Sequence, residues 1–278
     1  MNFIILLFIH LKIIPQLEFL HYQNQSNIAI QICDTMTRRT VTTEDGNTIE
    51  YYFNGINNDK LPLIISMGNW EPAFRGFHLM NSINDRPCVV LSYRGRGGSS
   101  SPLKGYDWKD HSHDLKAVIK DCEFNKCIFL AFSKGVSYTL GFIESNPEVA
   151  AGLILIDYPA IHCNSTPGYA EFWYNMKYLD YKLKDHITLT ALQGIEKEST
   201  EKEFYETIKS LKCPITVFVG RNKKSERPSN IEENDIIKYK EANPSVKFKN
   251  FEKSGHMILD EEFELAKNEV HNFLKSID

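Results

Sequence analysis

The sequence predicts an α/β protein whose mostly parallel sheet is covered by helices on both faces. Three observations carry this reading. Apolar runs of strand length, from Leu61 to Met67, Pro87 to Ser92, Cys127 to Phe132, Gly152 to Ile156 and Ile215 to Val219, show little polar alternation, as strands buried on both sides require. Between them lie stretches with apolar residues at helical spacing, such as Leu115, Val118, Ile119 and Cys122. Gly68-Asn69, Ser133, Asp157 and the loop after Val219 all fall at the carboxyl ends of these strands, where open α/β sheets bind their ligands.

The elements follow in order. Phe3 to Leu11 is almost wholly apolar, then Lys12 and Pro15 interrupt it. That run is too short to span a bilayer as a helix, and it lacks the basic flank and the small-residue cleavage site of a secretory leader. Three readings stay open for residues 1–35: a leader or anchor, an extension outside the fold with Met36 as an alternative start, and a docked helix. Met36 to Thr43 and Thr48 to Phe53 predict two strands joined at Asp45-Gly46, because glycine accepts the positive φ of a tight hairpin turn. A helical stretch lies around Phe77 to Ile83, and Asp107 to Cys122 reads as an amphipathic helix. The helix after Ser133 runs to about Glu144. Val246 to Phe248 predicts a short strand, Ser254-Gly255-His256 a loop, and Phe263, Ala266, Val270, Phe273 and Leu274 a closing helix.

Tyr158 to Cys213 breaks the alternation. It holds Phe172, Trp173, Tyr174, Met176, Tyr178, Leu179 and Tyr181, then a charged run from Glu196 to Glu203. The expectation is a helical insertion at 158–213 over the strand ends, serving as a lid whose aromatic residues line a pocket or as an ordinary helical excursion.

The chain of 278 residues is long enough for one large domain, and its 42% apolar and 24% charged composition is that of a soluble globule. A net charge of −4 and a pI near 6.2 give no case for a nucleic-acid partner or an anionic membrane surface, and no stable membrane span is expected. Six cysteines, Cys33, Cys88, Cys122, Cys127, Cys163 and Cys213, are scattered without a C-x-x-C pair. They read as buried free thiols in a reducing compartment, so the expected location is cytoplasmic; export or membrane association follows if residues 1–20 act as a leader. His111 and His113, two apart on a helix, do not share a face, and no metal or other cofactor is expected.

Ala131-Phe132-Ser133-Lys134-Gly135 is the stretch with the most chemistry in it. A serine on a tight turn between strand and helix needs small neighbours two residues to either side, and Ala131 and Gly135 supply them. The turn lifts the hydroxyl off the sheet and sets the next backbone N–H at a helix N-terminus, facing a developing oxyanion.

In this order, Met67-Gly68-Asn69-Trp70 after a strand, Tyr93-Arg94-Gly95-Arg96-Gly97, the Ser133 turn and Gly255-His256 before the last helix resemble the α/β-hydrolase fold superfamily. The resemblance covers residues 36–278. It implies Ser133 as nucleophile, His256 as its base, and backbone N–H groups of Asn69 and Lys134 as oxyanion donors. A solvated side chain is expected for Lys134, with attraction of an anionic substrate as the alternative, and packing roles for Arg94 and Arg96. The family commonly carries the acid just beyond the strand that here ends at Gly220, yet Arg221 to Ser225 holds no carboxylate. Asp157, at a strand end used by pancreatic-type lipases, is the first candidate and Glu226 the second. Trp70, Phe132, Phe172 and Trp173 are the candidate pocket residues, and His162 and Cys163 could face substrate. The expected activity is hydrolysis of a carboxylic ester or similar small acyl substrate through an acyl-enzyme. The alternatives are a non-catalytic ligand-binding or signalling protein, motivated by the missing acid near Gly220, and a C–C bond hydrolase or acyl transferase using the same residues. The sequence leaves the oligomeric state open.

Overall fold

The computed structural model describes residues 36–178 and 181–278. The readings for residues 1–35, Cys33 among them, and for Leu179 lie outside the described residues. Eight strands form one sheet: β1 (Thr37–Thr42), β2 (Thr48–Phe53), β3 (Leu63–Ser66), β4 (Cys88–Ser92), β5 (Cys127–Phe132), β6 (Ala150–Ile156), β7 (Ile215–Gly220) and β8 (Lys247–Phe251). Their order is β1-β2-β4-β3-β5-β6-β7-β8. The β1–β2 and β2–β4 pairs are antiparallel, and every other pair is parallel.

Helices α1 (Phe77–Ser82), α2 (Trp108–Asp121), α3 (Gly135–Ser145), α4 (Tyr169–Asn175), α5 (Leu189–Glu198), α6 (Tyr205–Ser210), α7 (Glu233–Ala242), α8 (Ile258–Glu261) and α9 (Phe263–Ile277) surround it. Two apolar layers form, one on each face. Leu63, Ile65, Leu130 and Ile154 meet Phe77 of α1 and Val270 and Phe273 of α9. Ile64, Phe129 and Leu153, one residue out of step along the same strands, meet Leu115 and Val118 of α2 and Leu140 of α3. Side chains alternate across a strand, so a strand with apolar residues at every position is the one that feeds two layers. Each such side chain contributes about 1.5–3 kcal/mol on burial.

The segment between β6 and β7 is less helical than its composition suggested. Besides α4, α5 and α6 it contains two short antiparallel pairs, Lys177–Tyr178 with Tyr181–Lys182 and Ile161–His162 with Lys202–Glu203. The charged run from Glu196 is partly structural: Glu196 Oε2 accepts from Ala170 N at 2.7 Å, and Glu198 Oε2 from Gly105 N at 2.7 Å and Tyr106 N at 2.9 Å. Helix α7 has no counterpart in the sequence reading. It starts at a reciprocal cap between Glu232 and Asp235 but buries only Ile236 and Tyr239, so its periodic signal is weak. Strand β8 also runs past Phe248 to Phe251. Of the described cysteines, Cys88 and Cys127 are buried in strands, Cys122 and Cys213 are half-buried, and Cys163 is exposed rather than buried. Among the described residues no helix is long and apolar enough to cross a membrane.

Candidate active site

Ser133 stands where β5 gives way to α3. Its φ of 54 is left-handed, a conformation that costs an L-residue about 1–2 kcal/mol and turns the chain sharply. Gly135 permits that turn: a Cβ there would lie 2.5 Å from Met67 O and 2.6 Å from Ser66 O, so any side chain would strike backbone. Asp157 leaves β6 in the same manner, with φ 50. Phe132 and Ile156 are register partners in the sheet, so Ser133 and Asp157 emerge side by side from neighbouring strands.

His256 joins them from the loop after β8. Its Nε2 lies 2.9 Å from Ser133 Oγ and its Nδ1 2.8 Å from Asp157 Oδ2. The carboxylate can only accept, so it holds the proton on Nδ1 and leaves Nε2 to accept from the serine hydroxyl. Asp157 is fully buried, and three further donors satisfy it. Gly220 N and Ser229 Oγ donate to Oδ1 at 2.9 and 2.6 Å, and Asn230 N donates to Oδ2 at 2.9 Å. The ring of His256 stacks on Phe132 with centroids 5.0 Å apart, and its backbone N–H donates to Arg227 O at 2.7 Å. Glu226 is solvent-exposed and is not the carboxylate at Nδ1. The loop after β7 therefore places no carboxylate at Nδ1 but braces Asp157 through Ser229 and Asn230. Sequence reasoning missed Ser229 and Asn230 in this role, because nothing in their local pattern marks them.

Asn69 and Lys134 present backbone N–H groups that donate to no acceptor among the described residues. Two buried arginines bracket this region. Arg94 pairs with Asp114, Nη2 to Oδ1 2.6 Å, and is structural as expected. Arg96 does more than pack. Its Nε and Nη2 donate to Asn69 O at 2.9 and 2.6 Å, clamping the loop that carries the Asn69 N–H. Its Nη1 donates to His111 Nε2 at 2.8 Å, while His111 Nδ1 donates to Asp107 O at 2.8 Å. Burial first, then the Arg96 charge, holds His111 neutral, well below its ordinary pKa.

Glu71 supports the same loop, accepting from Gly68 N at 3.1 Å. Arg75 is committed to Asp260, with contacts of 2.9 and 2.7 Å, and stands 3.7 Å from Glu71. Desolvation therefore outweighs the attraction of Arg75, and Asp260 adds repulsion, so the Glu71 carboxyl is pushed up to about 7. The folded state thus binds this proton more tightly than the unfolded chain does. The resulting stabilisation is complete below about pH 4.5 and is lost as pH rises through about 7. Thermal melts of wild type and Glu71→Gln across pH 4.5–8 are expected to show a steeper fall for the wild type, on the order of 3 kcal/mol over the range. Parallel curves would exclude this assignment.

A cavity of about 350 Å³ opens beside Ser133 and is lined in part by Trp70, Phe132, Trp173, Tyr158, Tyr169 and Cys163. Phe172 is the exception among the expected pocket residues: it is 58% exposed and packs edge-on against Trp173, outside the cavity. His162 is buried, hydrogen-bonded to Ser137 Oγ at 2.8 Å and pushed down to about 3 by burial and by Lys134, so it does not face the cavity. Lys134 is not the solvated side chain expected of a lysine. It is 6% exposed and lines the cavity.

The arrangement can move a proton from a hydroxyl to an imidazole backed by a carboxylate, next to a partly open cavity and two backbone N–H groups without an acceptor among the described residues. No protein-family model and no curated protein sequence matches the chain. Solved structures do. An esterase from Rhodococcus, RhEst1, superposes with a TM-score of 0.69 at 16% identity, covering 87% of this chain and 100% of its own. The carboxylesterase CesB from Bacillus subtilis gives 0.68 at 14% identity, covering 92% and 98%. The enol-lactonase from Burkholderia xenovorans gives 0.68 at 12% identity, covering 85% and 100%. Strand order, the serine turn and these superpositions agree: the chain has the α/β-hydrolase fold.

Proposed function

We propose that the chain is a serine hydrolase that cleaves a carboxylic ester or a similar small acyl substrate through an acyl-enzyme. The observation that carries this is the continuous line from Ser133 Oγ through the His256 ring to Asp157, with spans of 2.9 and 2.8 Å. His256 Nε2 takes the hydroxyl proton as Ser133 Oγ adds to the carbonyl carbon. The carbonyl oxygen becomes an oxyanion held by the N–H groups of Asn69 and Lys134, each contributing roughly 3 kcal/mol to the barrier reduction. The imidazolium, stabilised by Asp157, returns the proton to the leaving alcohol. Water then repeats the sequence on the acyl-serine and frees the acid. Esterases and a lactonase of the same fold lend support at the level of reaction class. The missing acid beyond Gly220 motivates a non-catalytic reading, and Asp157 at 2.8 Å from the ring supports the catalytic one instead.

The direct test is pre-steady-state hydrolysis of 4-nitrophenyl acetate together with labelling by a fluorophosphonate. The expected result is a nitrophenolate burst near one equivalent per chain and a covalent adduct mapped to Ser133. Absence of both burst and adduct would rule the enzyme reading out.

A further inference from the structure

We propose that the cavity beside Ser133 receives a carboxylate at the far end of the substrate's acyl chain, held by the Lys134 ammonium and the Asn69 side-chain amide. This rests on the hydrolase reading and names its substrate class.

Lys134 is the first observation. Its Nζ lies 5.3 Å from the centre of the Tyr169 ring, and it forms no ion pair or hydrogen bond with any described residue. A buried ammonium without an anion is unfavourable. Here burial, with repulsion from Arg96, pushes its pKa down to about 8. The Asp107 carboxylate attracts the ammonium from a distance but makes no ion pair with it, accepting instead from Thr200 N at 3.0 Å and Thr200 Oγ1 at 2.6 Å. The fold thus supplies a cation at the cavity wall and withholds its counter-ion.

Asn69 is the second observation, and it is independent of the first. The residue is 6% exposed, and neither Nδ2 nor Oδ1 makes a hydrogen bond of ordinary geometry, although the Tyr169 hydroxyl is close enough to interact with the amide. Such a group costs about 1–3 kcal/mol if nothing ever meets it. It lines the same cavity. A carboxylate accepts from an ammonium and from an amide N–H at once. A neutral alkyl acyl chain would leave both unpaired, and a neutral polar one would leave the ammonium unpaired.

The direction of the substrate follows from the chemistry. His256 must reach the leaving oxygen, so the alcohol lies along the imidazole. The carbonyl oxygen lies at the N–H groups of Asn69 and Lys134, so the acyl chain is the part that passes the side chains of those two residues.

The test compares kcat/KM for mono-4-nitrophenyl adipate and for 4-nitrophenyl hexanoate, which differ in a terminal carboxylate against a methyl group. Wild type is expected to favour the adipate ester by about tenfold or more, and Lys134→Met and Lys134→Gln to lower that ratio by about 30-fold or more. The ratio cancels any loss that both esters share through the Lys134 N–H, and two variants guard against one failing to fold. A ratio at or below one in wild type, or a ratio unchanged in both variants, overturns the proposal. If neither ester turns over, the hydrolase reading fails by itself and calorimetric titration with adipate decides: binding weakened about tenfold or more in both variants supports the carboxylate site, and no binding or no difference overturns it.

Discussion

Asp157→Asn is expected to lower kcat about 10⁴-fold while KM stays within a few-fold of wild type. An asparagine can turn its NH₂ toward His256 Nδ1. The ring proton then moves to Nε2, and the nitrogen that should accept from Ser133 becomes a donor. The carboxylate is fully buried and takes four donors, counting His256 Nδ1, Gly220 N, Ser229 Oγ and Asn230 N, so its loss also leaves the imidazolium without its counter-charge. Steady-state kinetics on any ester that the wild type turns over provides the measurement. The exposed Glu226, changed to Gln, should stay within threefold of wild type. Near-normal rates for Asp157→Asn together with a collapse in Glu226→Gln would reverse the assignment of the acid.

Ser133→Ala and His256→Ala are each expected to remove nearly all of the rate, about 10⁶-fold in kcat, and the double variant to be no slower than either one. The two groups act as one unit through the 2.9 Å contact, so taking away the second loses nothing further. A product of the two single effects in the double variant would mean that they act in separate steps. Labelling by the fluorophosphonate should vanish in Ser133→Ala and drop sharply in His256→Ala, because the hydroxyl needs a base.

How much of this is legible in the sequence depends on the range of the interaction. Strands β3, β5 and β6 announce themselves because burial on both faces forces apolar residues at every position. Ser133 is legible because steric crowding at the turn is local and leaves a mark in Gly135. Ser133 and His256 become partners only through resemblance, since 123 residues separate them. Asp157 ranks ahead of Glu226 in the sequence only through resemblance, and the fold brings Asp157, not Glu226, to the ring. Arg96 is read as a packing residue because its contact with Asn69 O joins two loops 27 residues apart. Lys134 is misread for a different reason. Lysine is seldom buried, and nothing around Lys134 in sequence reveals that Tyr169, from the segment after β6, will cover it. Phe172 is misassigned because an aromatic run on a short helix points in several directions: Tyr169 and Trp173 line the cavity, and Phe172 does not.

Ser133 and Asp157 follow register partners on adjacent strands, so their separation is set by one rung of a hydrogen-bonded ladder, about 4.8 Å wide. The imidazole is on no strand; it arrives on a loop, held by the His256 N–H bond to Arg227 O and by the Phe132 ring. On warming, two of the three reactive groups should keep station for as long as the sheet survives, and the third should wander first. Loss of the proposed activity would then precede global melting and would reverse on cooling, with the histidine arm as the hinge of the protein's heat sensitivity.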